Sequence, residues 1–217
     1  MLNSSAKLVI ATTNKGKLKE FVQRLEGMDK EIYSLSDFID VPSVVEDGHT
    51  FIENAEKKAR IIGNALNMIS LADDSGLSVD ALDGQPGVYS ARYAGEHASD
   101  QDNVDKLLRE LHLLHAAGYS EGPVKPLHPL GYKLLSPAHF ACALVLYDPS
   151  SDKLIRVEGT CSGWIIDHPC GDNGFGYDPI FYLPEFGRTA AELSIAEKQK
   201  ISHRGKALDR LFNQLGL

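Results

Sequence analysis

The chain has 217 residues, 43% of them hydrophobic, and a formal charge of −8 with histidines neutral. That length suits one α/β domain, or two lobes sharing a core, that buries roughly 70% of its unfolded surface. The acidic balance argues against nucleic-acid or membrane-surface partners, because binding by counterion release needs a basic footprint. Cys142, Cys161 and Cys170 form no CxxC pair, and an odd count gives no disulfide framework, so buried thiols are expected. No 18-residue apolar run occurs, and Leu8-Val9-Ile10-Ala11 is too short for a signal-peptide core, which predicts a cytoplasmic protein.

Lys7 to Thr12 reads as a short buried strand leading through Thr13-Asn14-Lys15-Gly16 into a helix, with Leu18, Phe21, Val22 and Leu25 on one face and Gly27 at its stop. Such an entry offers free backbone N–H groups and the positive end of a helix dipole, a favourable place for phosphate. The hydroxyls of Thr12 and Thr13, the Asn14 amide and the Lys17 ammonium suit a polyphosphate, although the Walker A spacing is absent. Taken alone, the run is equally a helix N-cap with solvated lysines.

Extended pieces are expected near 31–35 and 41–45. A helix then starts at Thr50, whose capping box with Glu53 precedes the apolar stripe Phe51, Ala55, Ala59, Ile62 and Leu66. Glu53 therefore has a structural role, whereas Asn54 and Lys58, at i and i+4 on another face, are free to point at a cleft. Met68 to Leu71 reads as a strand delivering Ala72-Asp73-Asp74-Ser75-Gly76-Leu77, with the two acids on a Gly-ended turn just after it. Short carboxylates so placed can share Mg²⁺ and leave room for phosphate oxygens, with Glu46 as a third acid. A solvated Asx turn explains that run equally well by itself.

Gly84-Gln85-Pro86-Gly87 is a turn, and a helix follows from about Asp102 to Ala117 with Val104, Leu107, Leu108, Leu111 and Leu114 inward. Gly118 to Pro137, rich in Pro and Gly, reads as a long surface connection. Strands His139 to Tyr147 and Leu154 to Ile166 flank the hairpin turn Asp148 to Asp152. A glycine-rich loop comes next, Pro169 to Pro179, in which Phe175 can stack on a purine while the glycines let backbone amides approach it. Ser194 and Glu197 cap a short helix bearing Lys198, and Ser202-His203-Arg204-Gly205 opens a final helix buried through Ala207, Leu208, Leu211, Phe212 and Leu215. Lys198, His203 and Arg204 are chiefly donors, suited to a keto oxygen on a base. Helices alternating with strands, followed by a hairpin, predict a mixed sheet.

Zinc is disfavoured because His112, His115, His128 and His139 lack partner thiols or carboxylates at ligand spacing, and no GxSxG elbow marks a serine hydrolase.

Taken in order, these segments resemble the inosine triphosphate pyrophosphatase family. The matching runs are Ala11 to Lys17, Thr50 to Ala55, Ala72 to Gly95, Gly174 to Phe181, Thr189 to Leu193, and Ser202 to Leu208. Six motifs in the family's order cover nearly the whole chain. The resemblance implies an α/β fold with an elongated mixed sheet and flanking helices, forming one domain over residues 1–217 with two lobes around a central cleft. It also implies a homodimer, a small-molecule purine nucleoside triphosphate substrate (ITP, dITP or XTP), and Mg²⁺-dependent release of pyrophosphate by water attacking the α-phosphorus. It places triphosphate contacts on Thr12, Thr13, Asn14, Lys15, Gly16, Lys17 and Lys58, Mg²⁺ on Glu46 and Asp74, and the proton acceptor on Asp74. Ser75 becomes a substrate contact, and base recognition falls on Phe175, Gly176, Tyr177, Asp178, Lys198, His203 and Arg204. Thr13, where many members carry Gly, and the lengthened Gly118 to Pro137 connection depart from the common pattern. A nucleotide-binding sensor without turnover and a phosphatase releasing orthophosphate are the rival readings.

Overall fold

The computed structural model describes residues 7–25, 31–119 and 131–216. Strands β1 (Lys7–Ile10), β2 (Glu31–Ser34), β3 (Ile69–Val79), β4 (Leu134–Asp148), β5 (Lys153–Ile166), β6 (Phe181–Leu183) and β7 (Arg188–Thr189) form a sheet in the order β2-β1-β3-β4-β5-β6-β7. β1 runs parallel to both β2 and β3, while β5–β6 and β6–β7 are antiparallel. The sheet is therefore mixed, as the sequence predicts. The helices are α1 (Lys15–Leu25), α2 (Phe51–Leu66), α3 (Asp100–Ala116), α4 (Ile195–Ile201) and α5 (His203–Leu215).

Two compact units are present: residues 1–75, 142–159 and 202–217 make the first, and residues 76–141 and 160–201 the second. In the first unit, side chains of successive strand residues separate to opposite faces of the sheet, the period of two that a pleated strand imposes. Leu8, Ile10 and Leu71 pack with Phe21 and Leu25 of α1 and with Leu208 and Leu211 of α5. Their neighbours Val9, Ala11 and Ala72 pack instead with Ala55, Ala59 and Ile62 of α2. α2 starts where the sequence places it: Glu53 N donates to Thr50 Oγ1 at 3.3 Å, and the Glu53 carboxylate accepts from Thr50 N at 3.2 Å. Its far end is closed by Asn67 in the left-handed conformation, φ 49°. In the second unit Leu77, Val79, Leu107, Leu111, Ile165 and Phe181 share one core.

Several predicted boundaries move. β3 does not stop at Leu71 but continues to Val79, so Asp73 and Asp74 lie inside a strand and not on a turn after it. Residues 41–45 form no strand. α3 begins at Asp100 because Ser99, not a later residue, caps it, accepting from Asp102 N at 3.2 Å. β4 begins at Leu134, taking up the end of the predicted 118–137 connection, of which residues 120–130 lie outside the described residues, as does Gly27. Val22 is 45% exposed, because α5 and the sheet cover only the Phe21 and Leu25 side of α1. No helix among the described residues is long and apolar enough to cross a membrane.

Candidate active site

β1 pairs with β3 only as far as Ile10 opposite Leu71, so β3 runs on where the chain leaves β1 for the Thr12 to Asn14 loop. Asp73 and Asp74 follow at once. By the alternation already seen at Leu71 and Ala72, Asp73 falls on the α1 and α5 face and Asp74 on the α2 face. Their partners agree with that division.

On the α2 face, Asn54 Nδ2 donates to Asp74 Oδ2 at 2.9 Å, and Asn54 Oδ1 accepts from Gly48 N at 2.7 Å. The other Asp74 oxygen accepts from Ser75 N at 2.8 Å. One turn along α2, Lys58 donates to the Asp73 carbonyl at 3.0 Å and pairs with Glu46 at 2.5 Å. Burial raises the Asp74 pKa above the ordinary carboxylate value; the Asn54 hydrogen bond and the Lys17 charge pull the other way, and the Glu46 carboxylate adds to the rise. Burial also works against the charge on Lys58, but Asp73 and Glu46 outweigh it and lift its pKa.

On the other face, Asp73 Oδ2 meets Lys17 Nζ at 2.9 Å, Arg204 Nη2 at 3.3 Å and Ser75 Oγ at 3.3 Å. Arg204 is 1% exposed, donates to Ser75 Oγ at 2.9 Å, and forms an ion pair with Glu20 of α1. Enclosure opposes ionisation of Asp73, yet Lys17, Arg204 and Lys58 together hold its carboxyl well below the usual range. Before α1, Thr12 Oγ1 accepts from Asn14 N at 3.2 Å and Asn14 Oδ1 accepts from Lys17 N at 3.0 Å, so Asn14 caps the helix that carries Lys17. Thr13 and Lys15 are exposed, and Gly16 is half-buried. His203 is buried at the start of α5, whose first turn is closed by Gly205 N donating to Ser202 Oγ at 3.0 Å.

In the second unit, Asp178 Oδ2 accepts from Phe175 N at 2.9 Å and from Lys198 Nζ at 2.5 Å. The Lys198 ammonium also lies 4.9 Å from the centre of the Phe175 ring. Gly174 and Gly176 adopt φ of 87° and 59°, the left-handed region glycine tolerates, which lets the loop fold back so that Gly176 N donates to Asp100 at 2.7 Å. Tyr177 is anchored by its hydroxyl donating to the Ser90 carbonyl at 2.9 Å.

Lys198 joins Asp178 in the second unit, whereas Arg204 joins Asp73 in the first. Asn54, which the sequence places with Lys58 on a face free to point at a cleft, does join the site through Asp74, whereas Glu20 carries no such signal, being an ordinary helix acid by sequence. Thr12 with Lys17, Glu46 with Lys58, and Asp74 with Ser75 all come together in the first unit.

Among the described residues no group of three or more His, Cys, Asp or Glu is arranged around a metal position. The pair Glu46 and Asp74 nevertheless suits a hard divalent cation. Both are carboxylates, Glu46 adds to the rise in the Asp74 pKa, and Mg²⁺ commonly takes one or two carboxylates and completes its shell with water and phosphate oxygens.

A mixed α/β sheet carrying lysines, an arginine and paired acids where parallel strands β1 and β3 part defines an α/β protein with a charge-dense site built for anionic groups. The chain belongs to the Ham1 family, whose model matches residues 8–214. It is 47% identical over 215 residues to a dITP/XTP pyrophosphatase of Bacillus cereus, spanning 99% of this chain and 97% of that protein. A dITP/XTP pyrophosphatase of Geobacter sulfurreducens is 48% identical over 210 residues, 97% of this chain and 96% of its own. The solved structure of a HAM1 protein from Coxiella burnetii matches with a TM-score of 0.81 at 39% identity, covering 97% of this chain and 98% of that one.

Proposed function

We propose that this chain hydrolyses non-standard purine nucleoside triphosphates, ITP, dITP and XTP, to the nucleoside monophosphate and pyrophosphate, cleansing the nucleotide pool. The observation that carries this reading is Asp74, a buried carboxylate of raised pKa, oriented by Asn54 and Ser75 N and set beside Glu46 and Lys58. A carboxylate so oriented is placed to accept a proton from water, and its raised pKa makes it a stronger base than an ordinary Asp. Full-length similarity to proteins named dITP/XTP pyrophosphatase supports the substrate class.

Asp74 accepts the proton of the water that attacks the α-phosphorus, the bond to the bridging oxygen breaks, and pyrophosphate departs. Lys17, Lys58, Thr12, Thr13, Asn14, Lys15 and Gly16 bind and orient the triphosphate, using ammonium groups, hydroxyls and the free N–H groups at the start of α1. Ser75 adds a substrate contact. Glu46 and Asp74 would hold Mg²⁺, which when bound neutralises charge on the phosphate oxygens. Phe175, Gly176, Tyr177, Asp178 and Lys198 recognise the base, Phe175 by stacking and Lys198 by donating to a 6-oxygen, and His203 and Arg204 assist. The 6-amino group of ATP would leave such a donor facing another donor, which costs binding. The enzyme acts in the cytoplasm as a homodimer of one two-lobed domain, on a small molecule and not on nucleic acid or a membrane.

Incubation with ITP and Mg²⁺ followed by product analysis tests this. IMP with pyrophosphate is expected. IDP with orthophosphate, or tight binding without turnover, contradicts it.

A further inference from the structure

Asp73 takes no part in the chemistry above, although it is charged and only 1% exposed. Its Oδ2 gathers Lys17, Ser75 and Arg204, its backbone carbonyl accepts from Lys58, and its Oδ1 is buried without a hydrogen-bond partner. One residue therefore touches two of the three lysines assigned to the triphosphate, Lys17 and Lys58. Its side chain lies on the α1 and α5 face, whereas Asp74, with its Asn54 partner, faces α2.

We infer that Asp73 is a positioning residue that fixes the ammonium groups of Lys17 and Lys58 for the substrate, and is not a metal ligand. The inference rests on the proposed function. A lysine ammonium sits on a flexible four-carbon stem and has three donors, so anchoring one of them leaves the rest aimed and available. Arg204, shared between Asp73 and Glu20, keeps the Asp73 carboxylate charged and in place beneath Lys17. Because Asp73 is itself negative, losing it removes a repulsion toward phosphate as well as an anchor. Ground-state binding therefore changes little, and orientation in the transition state suffers.

The test is a double-variant cycle of Asp73→Asn with Lys17→Met, read with ITP and Mg²⁺. Each single change is expected to lower kcat/KM at least about tenfold, chiefly through kcat for Asp73→Asn, and the double variant to fall within about threefold of the poorer single. The Mg²⁺ concentration for half-maximal rate, and Mn²⁺ affinity by electron paramagnetic resonance, should stay within about twofold in Asp73→Asn, as no ligand is lost. Additive losses, or a metal requirement shifted about tenfold or more, overturn the inference. A readout on the unaltered protein covers a variant that does not fold. With ¹⁵N-lysine labelling and no nucleotide or metal, Lys17 Nζ should give a slowly exchanging resonance that is absent from Lys17→Arg; an exchange-broadened Lys17 signal rejects the anchoring. Failure of wild-type protein to release pyrophosphate from ITP defeats the proposed function instead, and leaves the Lys17 resonance to judge Asp73.

Discussion

Asp73 and Asp74 are adjacent in the chain but face opposite sides of β3, Asp73 meeting Lys17 and Arg204 while Asp74 meets Asn54. Strand geometry alone imposes this separation, since neighbouring side chains on a strand alternate. The consequence is two acids with opposite electrostatics, one held ionised by cations and one pushed toward neutrality by burial. Their roles should be separable by substitution.

Asp74→Asn removes the proton acceptor. Turnover of ITP should fall by at least about 100-fold, the usual contribution of a positioned general base, with the fold retained by circular dichroism. A near-normal kcat would take Asp74 out of that role.

Glu46→Gln removes a like charge that raises the Asp74 pKa. In metal-free protein, ¹³C NMR should find Asp74 titrating above the ordinary value of about 3.9, and lower in Glu46→Gln than in wild type. An unchanged or higher midpoint in the variant would mean that the two carboxylates do not interact.

For Asp73 the sign is reversed. Its folded pKa is depressed, so its contribution to stability is present above the unfolded value and is lost as pH falls through the acid range toward the folded one. Asp73→Asn should cost about 3 kcal/mol at pH 7, the low end for breaking a buried ion pair, and the cost should shrink below about pH 4. Urea unfolding at pH 7 and pH 3 measures it, and a loss independent of pH would rule out the charge as the cause.

How far the sequence foretold this site depends on what kind of signal each residue carries. Capping leaves a local mark, so Thr50 with Glu53 and Ser194 with Glu197 are legible directly, and the structure forms both boxes. The apolar faces of α2, α3 and α5 are legible from period alone. The position of Asp73 and Asp74 within β3 was not, because Asp, Ser and Gly after an apolar run have turn chemistry. Local preference is overridden there by tertiary partners: Lys17 and Arg204 compensate Asp73, and the Ser90 hydroxyl accepts from Leu77 N at 2.9 Å. Pairings such as Glu20 with Arg204, far apart in the chain, leave no local trace at all.

The same continuation of β3 makes a packing prediction. A Cβ at Gly76 would sit against the Ser90 side chain and only 2.5 Å from the Gly87 carbonyl oxygen, a backbone atom with little freedom to move. Gly76→Ala should destabilise by about 1–3 kcal/mol, the usual cost of overpacking, measured as a lowered urea midpoint. An unchanged midpoint would mean that this turn gives way easily.

Cys142 lies buried behind the Asp73 and Arg204 pair, and burial pushes its thiol up to about 12. It should not react with a disulfide reagent at pH 8 in the native protein, because the thiolate is the reactive form, and should react once unfolded. Rapid native labelling of Cys142, read by peptide mass, would contradict its enclosure.

The reaction itself is tested most directly by hydrolysing ITP in ¹⁸O-water and locating the label. Attack on the α-phosphorus, with Asp74 taking the proton of that water, predicts one ¹⁸O in IMP and none in pyrophosphate. Label in the pyrophosphate, or in orthophosphate, would contradict it.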